Sequence, residues 1–205
     1  MKKVLFFILF FLVVAAVQAQ SASSTNSSLD YQKHLNEEFA DKEKSPLTEN
    51  DFKKFKGLDF FDINEEFIIK ATFVKTPYQM PFAMPTTTDR KPIYVKYGEV
   101  HFTYQEEEFV LNVYQNQRLV TEPKYKDYLF IPFTDYTNGE STYGGGRYLD
   151  FSIPNSTTVI LDFNKAYNPY CAYNGTYSCP IPPRENDLPF KVEAGVKKYH
   201  EETKS

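Results

Sequence analysis

The chain has 205 residues and a formal net charge of −4, with 23 lysine and arginine residues against 27 aspartate and glutamate residues. This length suits one domain with a sizeable core. A mildly acidic chain without a basic block argues against nucleic acid and anionic lipid as partners. Nineteen phenylalanines and sixteen tyrosines favour β-strands.

The N-terminus predicts export. Lys2 and Lys3 precede an apolar run over residues 4–17, and Ala19 ends a stretch typical of a cleavage site. The run is shorter than the roughly 20 residues that cross a bilayer, so residues 1–19 are interpreted as a cleaved signal peptide and the mature protein as not membrane-spanning. We expect a location in the periplasm, at the cell surface or in the medium. Residues 20–28 then predict a disordered tether, and residues 29–200 a single domain.

Two helices are predicted at the start of this domain. Tyr31, Leu35 and Phe39 recur every four residues, which indicates a helix from about residue 29 to residue 44. A second, short helix is capped by Thr48 and closed by Gly57.

From residue 60 onward the hydrophobic pattern changes to alternation, which predicts strands. The predicted strands cover residues 67–73, 93–97, 100–104, 109–114, 129–133, 149–153, 157–163 and 190–194. Pro132 indicates an edge or the end of a strand. The fold class is therefore mainly β (α+β), as an antiparallel β-sandwich or a small open β-barrel with two N-terminal helices.

Candidate functional residues concentrate between residues 143 and 186. A run of three glycines, 144–146, precedes Arg147. The favoured interpretation of the run is a bulge or tight turn leading into a strand. Its backbone N–H groups could alternatively cradle an anion, with Arg147 as a second contact.

Polar residues after the next strand extend this candidate site. Asx turns at a strand end and ordinary ion pairs are the favoured interpretation of such residues. The alternative is a shared pocket in which arginines contact an anionic or carbonyl group and the other side chains contact hydroxyls or amides. The predicted ligand-binding residues are Arg147, Tyr148, Asp162, Asn164, Tyr167, Asn168, Arg184 and Glu185.

The two cysteines, Cys171 and Cys179, lie eight positions apart in a chain that is predicted to be exported. We therefore expect an intrachain disulfide. Two cysteines without nearby histidines fall short of the four ligands of a structural zinc site, so we expect no metal. No motif indicates a cofactor.

Several segments carry a resemblance to a known family. The motifs YGGGRYLD, DFNKAYNPYCAYN and SCPIPPREN, together with SPLTENDFKKFKGLDFF and MPTTTDRKPIYVKYGEVHFT, resemble the bacterial domain-of-unknown-function family numbered 1684, in a form found in exported Bacteroidetes-like proteins. The resemblance covers nearly the whole mature chain. It implies no activity and no catalytic residues.

The leading functional hypothesis is a non-enzymatic binding module for a small polar ligand, glycan or peptide. One alternative is a hydrolase or lyase that uses carboxylates of the same region, with Arg147 or Tyr148 as an electrophilic partner. The candidate carboxylates are Asp135, Glu140, Asp162 and Glu185. Their spacing fixes no separation of the kind that glycosidases require. The last alternative is an envelope accessory protein in which the polar residues only hold the fold.

Overall fold

Seven antiparallel strands form one curled, half-barrel sheet in the computed structural model of the protein, which describes residues 25–199. The strands are β1 (Ile68–Lys75), β2 (Phe82–Ala83), β3 (Ile93–Tyr104), β4 (Glu107–Asn116), β5 (Tyr128–Phe133), β6 (Arg147–Ser152) and β7 (Thr158–Asp162). The predicted mainly β fold with two N-terminal helices is confirmed. The predicted signal peptide and the first part of the predicted tether lie outside the described residues.

The first helix, α1 (25–40), is placed differently from its prediction. It already includes residues 25–28, which the sequence assigned to a disordered tether, and it ends four residues early. The reason is tertiary, because the Ser28 hydroxyl donates to Asp162 Oδ2 at 2.7 Å and Gln32 Nε2 donates to the Asn164 carbonyl at 3.0 Å. These partners are more than 130 residues away, so a local pattern does not reveal them.

The second helix, α2 (Glu49–Lys54), has the predicted cap. The Asp51 backbone N–H donates to Thr48 Oγ1 at 3.2 Å, and the Thr48 hydroxyl donates to Asp51 Oδ2 at 2.6 Å. Gly57 follows at a positive φ of 142°, a backbone conformation that glycine adopts without strain.

The strand order in the sheet is β6-β5-β4-β3-β1-β7, with β2 paired to β3. The predicted strands at 93–97 and 100–104 are one long strand, β3, with an irregularity between Lys96 and Gly98. Strands β3 and β4 form the predicted hairpin, whose turn residues Gln105 and Glu106 adopt positive φ. Strands β6 and β7 lie at opposite ends of the sheet, and the chain after β7 returns to β6 through a bridge between Tyr148 and Tyr167.

The two faces of β5 and β6 are both covered. Leu129, Ile131 and Leu149 belong to the main hydrophobic core on one face. Their neighbours Phe130 and Tyr148 belong to an aromatic cluster on the other face, since successive side chains of a strand point to opposite faces. This second face is the one that carries the candidate site.

The predicted last strand, 190–194, does not form. Val192 and Ala194 are nonetheless fully buried, as the apolar pattern predicted. Side chains replace the missing ladder: Arg147 Nη2 donates to the Val192 carbonyl at 2.7 Å, Arg147 Nη1 donates to the Ala194 carbonyl, and Asp135 Oδ1 accepts from Val192 N–H at 3.1 Å. The segment is extended and apolar, but its backbone groups form hydrogen bonds with the side chains of the Arg147–Asp135 ion pair rather than with a neighbouring strand.

The side chain of a buried asparagine links β4 and β5 by hydrogen bonds in a similar way, because these two strands share a single registered pair, Tyr114–Phe130. Asn186 Oδ1 accepts from Asn112 N–H at 2.7 Å, and Asn186 Nδ2 donates to the Asn112 and Pro132 carbonyls at 2.9 and 2.7 Å. Pro132 lies at the penultimate position of β5, which is an internal strand of the sheet, so the strand-end interpretation fits and the edge interpretation is wrong.

Candidate functional site

A cavity of about 540 Å³ lies between α1 and the second face of the sheet. This volume falls in the range of small-molecule sites, roughly 300–1,000 Å³. Eight of the lining side chains are aromatic: Tyr31, Tyr94, Tyr128, Phe130, Tyr148, Tyr167, Tyr170 and Tyr177. The remaining lining residues are His34, Leu35, Glu38, Leu119, Asp150, Pro169, Ser178, Cys179 and Pro180.

One carboxylate is held in a defined position in this cavity. The hydroxyls of Tyr128 and Tyr167 both donate to Asp150 Oδ1, at 2.7 and 2.6 Å. The other carboxylate oxygen, Oδ2, accepts no hydrogen bond from the described residues. Asp150 is surrounded by protein atoms on most sides, yet its side chain keeps contact with the open interior of the cavity. The arrangement therefore presents one oriented acceptor to whatever occupies the cavity.

The strands place these three side chains together. Asp150 pairs with Phe130 across β6 and β5, so Tyr128 is its diagonal neighbour on the same face. Tyr167 approaches from the other side, because its backbone forms a pair of hydrogen bonds with Tyr148, at 2.9 and 3.0 Å. The Tyr148 hydroxyl is used elsewhere and donates to the Pro180 carbonyl.

The electrostatics of the cavity follow from its apolar walls. Burial raises the pKa of the Asp150 carboxyl, the hydrogen bonds from Tyr167 and Tyr128 lower it, and the charge of Glu38 raises it. Burial also raises the pKa of the Tyr31, Tyr128 and Tyr167 hydroxyls, so these groups stay neutral at physiological pH. The tyrosines therefore act as neutral donors toward the carboxylate.

Helix α1 supplies one wall of the cavity through Tyr31, His34 and Glu38. His34 and Glu38 are adjacent on the helix surface, with His34 Nε2 at 3.5 Å from Glu38 Oε1. Both side chains are largely exposed, so this pair lies where the cavity opens to solvent.

Of the predicted site residues, Tyr148 and Tyr167 line this cavity and Arg147 does not. Arg147 is fully buried, and its Nη2 lies 2.8 Å from Asp135 Oδ2. The Thr137 hydroxyl donates to Asp135 Oδ1 at 2.6 Å and completes the cluster. The guanidinium therefore binds only groups of the chain itself, and it has no exposed surface that a ligand could contact. Asp135, a candidate catalytic carboxylate, is enclosed in the same way.

The glycine run takes the structural role that the sequence favoured. Gly146 has a φ of +86°, and a Cβ at this position would lie 2.6 Å from the Phe133 carbonyl oxygen. The close approach brings the start of β6 against the end of β5 and directs Arg147 inward.

A second closed cluster holds Asp162 and Asn164, both buried at the end of β7. Asp162 Oδ1 accepts from Asn164 N–H at 3.0 Å, as expected of an Asx turn. Asn164 Oδ1 accepts from Asn64 N–H and its Nδ2 donates to the Asn64 carbonyl, each at 2.9 Å. Together with Ser28 and Gln32 these groups anchor α1. They do not face the cavity.

The remaining predicted contacts are dispersed. Asn168 is buried and its Nδ2 donates to the Lys197 carbonyl at 3.0 Å. Arg184 and Glu185 are exposed and lie outside the cavity lining. Glu140, the other candidate carboxylate, is also exposed, and its Oε2 pairs with Lys191 Nζ at 2.6 Å. The structure therefore separates the predicted site into closed clusters and surface groups, and only the two tyrosines reach the cavity.

The predicted disulfide is not formed. Cys171 and Cys179 are free thiols that lie near each other but not at bonding distance. Cys171 N–H donates to Cys179 Sγ at 3.0 Å, and Cys179 lines the cavity. The thiols share a hydrogen bond, which lowers the pKa of Cys171 and raises that of Cys179. Within residues 25–199 no group of three or more histidine, cysteine or acidic residues is placed to hold a metal.

Sequence reasoning missed Asp150, and a signal for it was present. Every residue of β5 from Leu129 to Phe133 is buried, which is typical of a strand covered on both faces. The neighbouring β6 places Asp150 on the same face as Tyr148. A carboxylate between aromatic residues on a covered face is unusual, and it indicates a candidate functional residue.

Comparison with known proteins identifies a family. Residues 53–197 match the model of the family described as "Protein of unknown function (DUF1684)". The chain belongs to this family. The matched range contains β1–β7 and Asp150, whereas the α1 wall of the cavity lies N-terminal to it. A search of curated proteins found no match.

A solved structure is also similar to this chain. The uncharacterized protein from gene locus rrnAC0354 of Haloarcula marismortui, determined by solution NMR, is similar with a TM-score of 0.69 and 28% sequence identity. The similarity covers 87% of this chain and 96% of that chain. In the part of the chain that the structure describes, no helix is both long and apolar enough to span a bilayer.

Proposed function

We propose that this protein is a non-enzymatic binding module whose ligand site is the aromatic cavity beneath α1. The single observation that carries the proposal is the oriented carboxylate: Asp150 is fixed by two tyrosine hydroxyls inside a cavity large enough for a small molecule. Apolar walls with a few placed polar groups are the usual composition of such sites.

The placement of the candidate catalytic carboxylates favours binding over hydrolysis. An acid–base mechanism needs two ionisable groups that flank the reacting bond. Asp135 and Asp162 are closed off by their own partners, and Glu140 and Glu185 are exposed outside the cavity. Asp150 is left as the one carboxylate that is held by hydrogen bonds in the cavity, with Glu38 at its opening.

We further propose that the protein acts outside the cytoplasm, as the signal peptide predicted over residues 1–19 implies. N-terminal sequencing of the mature protein from its native host tests this part. We expect a chain that begins at Gln20. A mature chain that keeps Met1 or Lys2 would contradict it.

Chemical-shift mapping tests the binding site itself. A panel of small organic cations, neutral sugars, amino acids and carboxylates is titrated into ¹⁵N-labelled protein. We expect at least one probe to shift the amides of Tyr148, Asp150 and Tyr167 in a saturable way. Leu119→Trp, which places a larger side chain in the cavity lining, should abolish these shifts. Shifts that persist in this variant, or that map only to Arg184 and Glu185, would place the site elsewhere.

A further inference from the structure

From the same cavity, and resting on the proposed function, we infer that the ligand is a small organic cation: an ammonium or guanidinium group attached to an apolar body. The inference concerns the chemical class of the ligand, whereas the proposed function concerns only the existence and place of the site. Three features of the cavity lead to it: its charge, the orientation of its carboxylate and the nature of its walls.

The first feature is a carboxylate without a counter-ion. Among residues 25–199, Asp150 forms no ion pair, and no lysine or arginine lines the cavity. Lys124 lines an adjacent depression that Asp150 also borders, but its ammonium group lies over the Tyr125 ring, 4.4 Å from the ring centre, and forms no ion pair with Asp150. Arg90 lies near the rim, but its guanidinium donates to the Ser178 carbonyl at 2.6 Å and to Ser178 Oγ at 3.1 Å. Removing a carboxylate from bulk water is costly unless a positive charge compensates for it. Here the chain supplies hydroxyl donors and leaves the compensating charge to come from outside.

The second feature is the orientation of Asp150. Both tyrosine hydroxyls donate to Oδ1, so the acceptor capacity of Oδ2 remains available to a ligand. An ionised carboxylate accepts hydrogen bonds and donates none. A charged N–H donor is therefore a complementary partner, and hydrogen bonds between ionised partners are stronger than neutral ones.

The third feature is the aromatic wall. The negative face of an aromatic ring attracts ammonium and guanidinium groups, and such cages are a known means of recognising organic cations. The tyrosine hydroxyls remain neutral because burial raises the pKa of Tyr31, Tyr128 and Tyr167. The rings can then contact the apolar part of the ligand while Asp150 and, at the opening, Glu38 attract its charge.

Other ligand classes fit less well. An anion would face Asp150 and Glu38 at short range in surroundings of low dielectric constant. A neutral sugar could stack on the tyrosines and donate hydroxyls to Asp150, but it would leave the charge of the carboxylate uncompensated. Sugars therefore serve as one arm of the test.

The inference also predicts the pH dependence of binding. Helix α1 contributes the titratable side chains Tyr31, His34 and Glu38 to the cavity that Asp150 lines, and the other titratable side chains of the lining are Tyr94, Tyr128, Tyr148, Tyr167, Tyr170, Tyr177 and Cys179. In the adjacent depression Asp150 borders Lys124, Tyr125 and Asp127. Burial raises the pKa of the Asp150 carboxyl above its usual range. Cation affinity should fall as the pH is lowered through that value, because protonation removes the charge.

Matched probes test the ligand class. Choline and its neutral isostere 3,3-dimethylbutan-1-ol, butylammonium and butan-1-ol, butyrate, and methyl glucoside are titrated at pH 8 with the amides of Tyr148, Asp150 and Tyr167 as readout. We expect each cation to bind at least about tenfold more tightly than its neutral isostere, a factor that corresponds to about 1.4 kcal/mol. Asp150→Asn should reduce this preference to about twofold, and Glu38→Gln should reduce it less. Asp62→Asn, the same change at an exposed site, should leave it intact.

The outcomes separate the two proposals. Neutral isosteres or the glucoside binding in the cavity as tightly as the cations would overturn the cation inference and leave the binding site standing. Cation binding that survives Asp150→Asn and Glu38→Gln without loss would overturn it as well. If no probe shifts the cavity amides, both the inference and the proposed function fail.

Discussion

Asp135 and Asp150 are two carboxylates held by hydroxyl groups, and they differ in what completes their surroundings. Asp135 is closed: Arg147, Thr137 and the Val192 N–H occupy its oxygens, and none of these residues lines the cavity beneath α1. Asp150 is open: two tyrosines occupy one oxygen, the other accepts no hydrogen bond from the described residues, and the side chain lines a cavity of about 540 Å³ that no lysine or arginine lines. A polar group whose partners all belong to the chain stabilises the fold. A polar group left with unused capacity beside a cavity indicates a ligand.

Removing the closed carboxylate should have the largest effect. Asp135→Ala leaves the buried Arg147 uncompensated, and breaking such a pair typically costs about 3–5 kcal/mol. The Val192 backbone N–H also loses its acceptor. We expect urea denaturation to show this loss in the free energy of unfolding.

Asp150→Ala is the matched control, because it deletes the same side chain on the open side of the comparison. We expect it to change the free energy of unfolding by less than about 1 kcal/mol, as is usual for sites in contact with solvent. Equal losses in the two variants would contradict the distinction between a structural and a ligand-binding carboxylate.

Asn186 extends the comparison to a neutral closed group. Asn186→Ala removes three hydrogen bonds and leaves the N–H and carbonyl of Asn112 and the carbonyl of Pro132 without this partner. Unsatisfied buried groups cost about 1–3 kcal/mol. Thermal and urea unfolding should both register the loss. The control Asn155→Ala, in an exposed turn, should leave the free energy of unfolding unchanged. If Asn186→Ala leaves it unchanged as well, the link between β4 and β5 is dispensable.

The sequence predicts the fold better than the site because strands and helices follow local periodicity. The alternation of apolar and polar residues predicted β1, the β3–β4 hairpin and β5–β7, and the Thr48 cap predicted α2. The predicted strand at 190–194 failed for a physical reason. Its apolar residues are buried as predicted, but Arg147 and Asp135 satisfy its backbone, and no local pattern shows that side chains will replace a neighbouring strand.

The predicted site residues lie apart from one another for a related reason. Arg147, Asp162 and Asn164 were singled out because polar residues in a loop region often bind ligands, yet each is closed by partners distant in sequence. Asp150 was overlooked because its position in an alternating strand suggests a solvated face. The continuous apolar run of β5 indicates that this face is covered, but only the fold shows that α1 and Tyr167 cover it.

The pH dependence of stability probes the open carboxylate without any ligand. Burial raises the pKa of Asp150 in the folded protein above its value in the unfolded chain. The folded state therefore favours the protonated form, and stability is lost as the pH rises through the folded pKa. Asp150→Asn removes this loss. The free energy of unfolding of the variant should therefore rise relative to that of the wild type between pH 3 and pH 7, by less than about 1 kcal/mol because the cavity is open to water. A difference that does not vary with pH would contradict the raised pKa.

The cysteine pair offers the smallest expected effect. It borders the open region, since Cys179 lines the cavity, and the Tyr143 hydroxyl lies 3.8 Å from Cys171 Sγ. The hydrogen bond with Cys179 lowers the pKa of Cys171, so Cys171 should be alkylated by iodoacetamide faster at pH 7 than an ordinary thiol. Cys179→Ala removes the bond and should slow this reaction severalfold, with the pH midpoint moving upward. Mass spectrometry of the native protein follows both thiols, and an unchanged midpoint in the variant would show that the pair does not share a proton. Protein in which neither thiol reacts until a reductant is added would instead restore the disulfide that the sequence predicted.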